Sequence, residues 1–200
     1  MKHLPLFPIS VYQGNIENND ELKKVILPFI NETKDILKRP KGWTTDKVIT
    51  SFTNDKVNDA LFNNERHKLK DVYSNKLNQI FKKEYDWNFI KGWYNYYTEG
   101  EWQEKHCHTG ISPLDAFSAI HFVSWKADVH MPVTFYDPLH MFKDMFTPNS
   151  ADHSKWTPDI KEGDLLIFPS YLEHSVPKQP STPDYPRITI SFNLQFYDII

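Results

Sequence analysis

The chain has 200 residues and a formal net charge of -3, which leaves no basic footprint for nucleic acid. Hydrophobic residues are 40% and aromatics 15%, enough for a packed core and against a disordered chain. One cysteine excludes an internal disulfide framework and fits a reducing compartment, while 14 prolines, 6 glycines and no G-x-G-x-x-G or Walker pattern argue against a nucleotide-binding loop.

No run reaches the ~18 apolar residues of a membrane span. Residues 1–8 (Met-Lys-His-Leu-Pro-Leu-Phe-Pro) lack the apolar core of an export signal, so a soluble cytoplasmic protein is expected. Residues 4–12 read as a short edge strand, since each proline there lacks a ladder donor. Asn19 or Asp20 can cap a helix in which Leu22, Ile26, Phe29, Thr33, Ile36 and Leu37 recur at helical spacing to about Arg39. Pro28 is expected to kink it, and Pro40 and Gly42 to end it.

Residues 41–63 read as an irregular connection anchored by Trp43, Phe52 and Phe62, lying over the core or bordering a site. A second helix is expected over Glu65–Phe81, with Leu69, Val72, Tyr73, Leu77, Ile80 and Phe81 as its stripe and its lysines in solvent. From Trp87 the period changes. Residues 88–97, 117–123, 131–136, 165–168, 174–176 and 187–196 are strand-like, 138–158 reads as a loop insertion, and 178–186 as a proline-rich loop. Helices first and short strands after suit an α+β fold with a β-sandwich or jelly-roll body. One domain over 1–200 is expected, mainly helical in 1–86 and β in 87–200.

His106-Cys107-His108 offers two imidazoles that face one way on a regular strand, a means of holding iron, zinc, copper or nickel. With 9 histidines in the chain, that spacing alone is a weak signal. Context strengthens it. A strand ends in Phe168-Pro169-Ser170, His174 follows, and Arg187 opens another strand. A small β-barrel has room for one metal and one small ligand. His174 would bring a third ligand, Arg187 a planar fork for a carboxylate, and Thr189, on the same strand face, a hydroxyl. The competing reading of Arg187 is a surface ion pair with Asp184.

These stretches resemble the Fe(II)- and 2-oxoglutarate-dependent dioxygenases, more narrowly a group of 2-oxoglutarate oxygenases common in bacteria and marine phages. The resemblance covers about residues 93–196. It rests on His106-Cys107-His108, Phe117–Val123, Phe135-Tyr136-Asp137-Pro138, Phe168–Val176 and Arg187–Asn193, the last two being the most specific. It implies a double-stranded β-helix (jelly roll, cupin-like) with the N-terminal helices packed on one sheet. It implies Fe(II) on His106 and His174, and 2-oxoglutarate held through its far carboxylate by Arg187 with Thr189. It also implies oxidative decarboxylation to succinate coupled to hydroxylation of a small molecule or protein side chain.

Two departures stand out. The wider superfamily has Asp or Glu where this chain has His108, so the site holds three histidines, or a carboxylate such as Glu104 or Asp115 replaces His108. The reading favours His108. His121-Phe122 stands where the group often has Tyr-Tyr. Asn95 and Tyr97 are placed to line the barrel mouth near the cosubstrate, while Tyr94, Tyr96 and Cys107 read as packing. His121 is a pocket candidate. His130, His140 and His153 read as loop or surface residues. Trp156, Met141 and Met145 read as a lid or as packing of their loop. Two alternatives stand beside the main reading: a three-histidine cupin-type dioxygenase that uses no 2-oxoglutarate, and a non-catalytic module that keeps the fold. A homodimer through the helices is allowed, with no interface legible, and a phage-encoded protein would work in the host cytoplasm.

Overall fold

A computed structural model describes residues 9–38, 40–41, 43, 48–81, 85–108, 116–139, 154–182 and 184–198. In chain order the described elements are β1 (Tyr12–Asn15), α1 (Asn19–Thr33), a 3-10 turn (Lys34–Ile36), β2 (Ile49–Thr50), α2 (Asp55–Phe62), α3 (Leu69–Ile80), β3 (Tyr85–Tyr97), β4 (Gln103–His106), β5 (Phe117–Ser124), β6 (Thr134–Tyr136), β7 (Lys155–Trp156), β8 (Asp164–Pro169), β9 (His174–Val176) and β10 (Arg187–Asp198). They form a six-stranded sheet, β1-β8-β5-β10-β3-β2, and a four-stranded sheet, β4-β9-β6-β7. Every pairing among them is antiparallel.

The larger sheet has two buried faces. One joins Leu22, Ile26 and Ile30 of α1, Val57 and Leu61 of α2, and Leu69, Tyr73 and Leu77 of α3 to strand residues such as Ile190, Phe192 and Ile167. The other packs Phe122, Leu166 and Phe168 against Phe135 of the smaller sheet. Alternation along each strand produces this division, since successive side chains point to opposite faces. The architecture is α+β, a jelly-roll body with the helices on one sheet, as the sequence led us to expect.

Local expectations fare unevenly. The N-terminal edge strand lies later than expected: Pro5 and Pro8 are outside the described residues, and β1 begins at Tyr12 and pairs with β8 at the sheet edge. The cap of α1 is Asn18, one residue earlier than expected. Asn19 is inside the helix and uses its amide to donate to the Val123 carbonyl, 3.1 Å away. The α-helix stops at Thr33 with Pro28 inside it, so the buried stripe runs Leu22, Ile26, Ile30 and Ile36 is exposed.

The connection 41–63 is not irregular throughout. It holds β2 and α2, and the Asn54 side chain caps α2 by accepting from the Val57 N–H. α2 lies close on β3, because Gly92 leaves room for Phe62: a Cβ at 92 would sit 2.2–2.7 Å from that ring. α3 matches its expected stripe, although Lys76 is buried along its length and reaches Glu17 at 2.7 Å. Most of the 138–158 insertion lies outside the described residues; within it, Lys155–Trp156 forms an edge strand on β6.

Candidate metal and cosubstrate site

β4 and β9 pair so that His106 stands directly opposite His174. His108 joins them from beyond the end of β4. It does not share a strand face with His106, as regular alternation would have it; its backbone N–H instead donates to the Ser170 carbonyl at 2.9 Å. The three side chains still converge. Their ring centroids lie 4.3–5.3 Å apart, and one nitrogen of each falls within 4.8 Å of the others.

Hydrogen bonding sets which nitrogen each ring turns inward. His106 Nδ1 donates to the Glu104 carbonyl at 2.8 Å and His174 Nδ1 to the Leu172 carbonyl at 2.9 Å. A carbonyl only accepts, so both rings carry their proton on Nδ1 and keep the Nε2 lone pair. His108 Nδ1 instead meets two side chains, Asn193 Oδ1 and Ser118 Oγ, each at 2.8 Å. Burial lowers the pKa of all three. His106 falls below the ordinary value, His108 drops to about 4 with His106 adding to the effect, and His174 falls well below under burial and both neighbours. All three are therefore neutral near pH 7, the state that ligates a metal.

The same pocket extends to Arg187. It is 1% exposed, so the surface ion pair with Asp184 is not what the fold builds. Its guanidinium carbon lies 4.5 Å from the Tyr97 ring centre, 5.6 Å from Phe122 and 5.5 Å from Trp125. Burial pulls its pKa down and Tyr97 partly offsets that, but an arginine stays charged. Nε and Nη1 have no hydrogen-bond partner in the protein. Thr189 and Asn95 face each other across β10 and β3, the Asn95 amide nitrogen 3.5 Å from the Thr189 hydroxyl, and Asn95 Oδ1 has no partner. Tyr97 donates to Gln103 at 3.0 Å, and burial raises its hydroxyl pKa to about 12. The cavity between these side chains is tight, about 20 Å³. None of its described lining residues is acidic.

The fold thus brings together His106, His108, His174, Arg187, Thr189, Asn95 and Tyr97. Glu104 offers His106 its backbone carbonyl and is not part of the three-histidine group; Asp115 lies outside the described residues, as do His140, His153, Met141 and Met145. Cys107 is partly exposed rather than buried, because the regular strand has ended before it. His121 is not in the pocket. It faces the helices, where the Tyr73 hydroxyl meets its Nδ1 at 2.9 Å. His130 is buried rather than on the surface, held by the Tyr185 carbonyl and the Lys126 N–H at 3.0 Å each. Trp156 stacks on Phe135 and is half exposed. Trp93, Gln103, Val176 and Ser191, which also line the pocket, were not singled out from the sequence. Counting by two along β3 and β10 from Asn95 and Arg187 reaches Trp93 and Ser191.

A family model described as "Putative 2OG-Fe(II) oxygenase" matches residues 91–193, more than half of the chain. The chain belongs to this family of oxygenases, whose cofactor is Fe(II) and whose cosubstrate is 2-oxoglutarate. No curated protein matches the sequence.

Solved structures with the same fold include a prolyl-4-hydroxylase from Pseudomonas putida (12% identity, 94% of this chain and 92% of that one, TM-score 0.61). A viral collagen prolyl hydroxylase from Paramecium Bursaria Chlorella virus-1, solved as its 2OG complex, is another (13%, 92% and 95%, TM-score 0.56). A third is a Trichoplax adhaerens prolyl hydroxylase in complex with a hypoxia inducible factor oxygen degradation domain peptide fragment (12%, 94% and 83%, TM-score 0.61). Among the described residues no helix is long and apolar enough to cross a membrane.

Proposed function

We propose that His106, His108 and His174 hold the iron and that Arg187, with Thr189, Asn95 and Tyr97 around it, holds 2-oxoglutarate by the carboxylate remote from the metal. One observation carries this reading: a fully buried arginine with Nε and Nη1 unpartnered, in the same pocket as three neutral imidazoles. A buried charge without a partner is costly, and a carboxylate accepting N–H bonds from the guanidinium removes that cost. The donor set suits iron, since imidazole is a good ligand for it and three protein ligands leave positions open.

Bound iron and 2-oxoglutarate supply the oxidising chemistry. The chain binds, orients and shields. His106 and His174 are fixed by their backbone carbonyls, Arg187 sets the direction of the cosubstrate, and Phe122, Trp125 and Val176 keep water from its far end. A 2-oxoglutarate-independent reading would leave Arg187 without a counter-charge. We take the substrate to be a protein side chain or a small molecule; the three prolyl hydroxylases of like fold support a peptide substrate first. The apolar cluster shared by helices and sheet supports one domain over 1–200, and a single cysteine supports the cytoplasm.

Anaerobic titration with Fe(II) and 2-oxoglutarate tests the site. Wild type is expected to develop the weak visible charge-transfer band of chelated cosubstrate, and Arg187→Ala to need about 30-fold or more 2-oxoglutarate, from the ~2–5 kcal/mol of a buried charge-assisted pair. Iron bound by wild type with no band at any 2-oxoglutarate concentration contradicts the proposal.

A further inference from the structure

We infer that Asn193, braced by Ser118, is the positioning residue that fixes the tautomer of His108 and so admits a third imidazole to the metal site. The inference rests on the reading of His108 as a ligand given above.

The three histidines are not oriented alike. His106 and His174 each donate Nδ1–H to a carbonyl two residues upstream, a partner that no side-chain substitution removes. His108 lies past the end of β4, and its Nδ1 meets the Asn193 amide oxygen and the Ser118 hydroxyl. An amide can present oxygen or nitrogen, and a hydroxyl can donate or accept. The tautomer of His108 therefore depends on how these two side chains are held.

They are held tightly. Asn193 and Ser118 are direct cross-strand partners on β10 and β5, and both are buried with Ser170. The Ser118 hydroxyl donates to Asn193 Oδ1 at 3.0 Å. That leaves its lone pairs for His108 Nδ1–H at 2.8 Å and for the Ser170 hydroxyl at 2.9 Å. Ser118 thus keeps the amide oxygen turned toward the ring. Facing an acceptor, Nδ1 carries the proton and Nε2 keeps the lone pair that a metal needs. With the amide reversed, Nδ2 would donate to Nδ1, the ring proton would sit on Nε2, and the third ligand would be lost.

A carboxylate ligand has no tautomer and needs no such device; a histidine in that place does. Asn193 also lies on the same face of β10 as Arg187 and Thr189, so one strand serves both the cosubstrate clamp and the third ligand.

The test uses the full chain labelled with ¹⁵N, with Zn(II) as a diamagnetic metal probe. Long-range ¹H–¹⁵N spectra of the metal-free wild type should show the His108 proton on Nδ1. Asn193→Asp, which can only accept, should keep that tautomer and bind Zn(II) at least as tightly as wild type. Asn193→Leu should let the proton move between the nitrogens and lower Zn(II) affinity about 10–100-fold, the usual cost of losing a partner behind a ligand. Thermal unfolding of each metal-free variant separates this from loss of fold, and if the Leu variant does not fold, the wild-type tautomer and the Asp variant decide. A proton on Nε2 in the wild type overturns the inference. So does an Asn193→Leu protein that folds and binds Zn(II) like wild type while His108→Ala does not, a result that leaves His108 a ligand. Unchanged Zn(II) affinity in His108→Ala removes the ligand reading itself, and the inference with it.

Discussion

The two faces of the six-stranded sheet are made by the same strands and do opposite work. Toward the helices β10 presents Ile188, Ile190, Phe192 and Leu194; toward the smaller sheet it presents Arg187, Thr189, Ser191 and Asn193, all just as deeply buried. β3 repeats the division, with Tyr94 and Tyr96 on the helix side and Trp93, Asn95 and Tyr97 inside. The helix face is filled with apolar contacts. The inner face leaves Arg187 Nε, Arg187 Nη1 and Asn95 Oδ1 without protein partners. The helix side also holds unpartnered polar atoms, at Asn19 Oδ1, Asn58 Nδ2 and His121 Nε2, but these groups are neutral; among the described residues only the inner face holds buried guanidinium nitrogens without a partner, which a ligand can satisfy.

The largest separation between the faces comes from Phe192→Ala. Phe192 stacks on Tyr73 at 4.5 Å and meets Phe89 edge-on at 5.1 Å. Its removal is expected to cost about 3–5 kcal/mol in urea unfolding, with little change in metal affinity of the folded protein. On the inner face the sign reverses. Arg187→Met replaces an unpaired buried charge by an apolar side chain of similar length, and the same unfolding measurement without ligands should give a neutral or stabilising change of up to about 4 kcal/mol. A loss of stability like that of Phe192→Ala would mean that the inner face is core like the other.

A smaller effect comes from His121, which β5 turns toward the helices. Burial holds His121 down to about 3, from an ordinary value of 6.5. Between these values the unfolded chain takes up a proton that the folded chain refuses, so metal-free stability falls as pH drops from about 6.5 toward 3 and does not depend on His121 above that window. His108 and His174 act in the same direction. Urea unfolding at stepped pH should show a shallower acid loss in His121→Leu than in wild type; equal slopes would contradict the assignment.

Legibility in the sequence followed the range of the interaction. Period-two alternation over Arg187–Phe196 and the breaks at Pro169 and Pro186 outlined the β body, and the histidines and Arg187 stood out because their chemistry is rare in such strands. α2 was missed because it is only 8 residues long, with Val57, Leu61 and Phe62 as its whole apolar face. His130 looked like a surface residue because its partners, Tyr185 and Lys126, are backbone groups of loops that only the fold assembles. His108 was read rightly as a member of the cluster but for the wrong reason, since the strand ends before it. Ser118, Asn193 and Ser170 gave no signal, because each is an ordinary polar residue until the pairing of β5 with β8 and β10 brings them behind one ring.

The proposed site presents three imidazoles to iron, His106 and His174 from the smaller sheet and His108 from beyond the end of β4. X-ray absorption at the iron edge of the anaerobic Fe(II) protein counts those ligands directly, through the multiple scattering that imidazole rings produce. Three imidazoles are expected in wild type and two in His108→Ala. Two imidazoles in wild type, unchanged by His108→Ala, would contradict it.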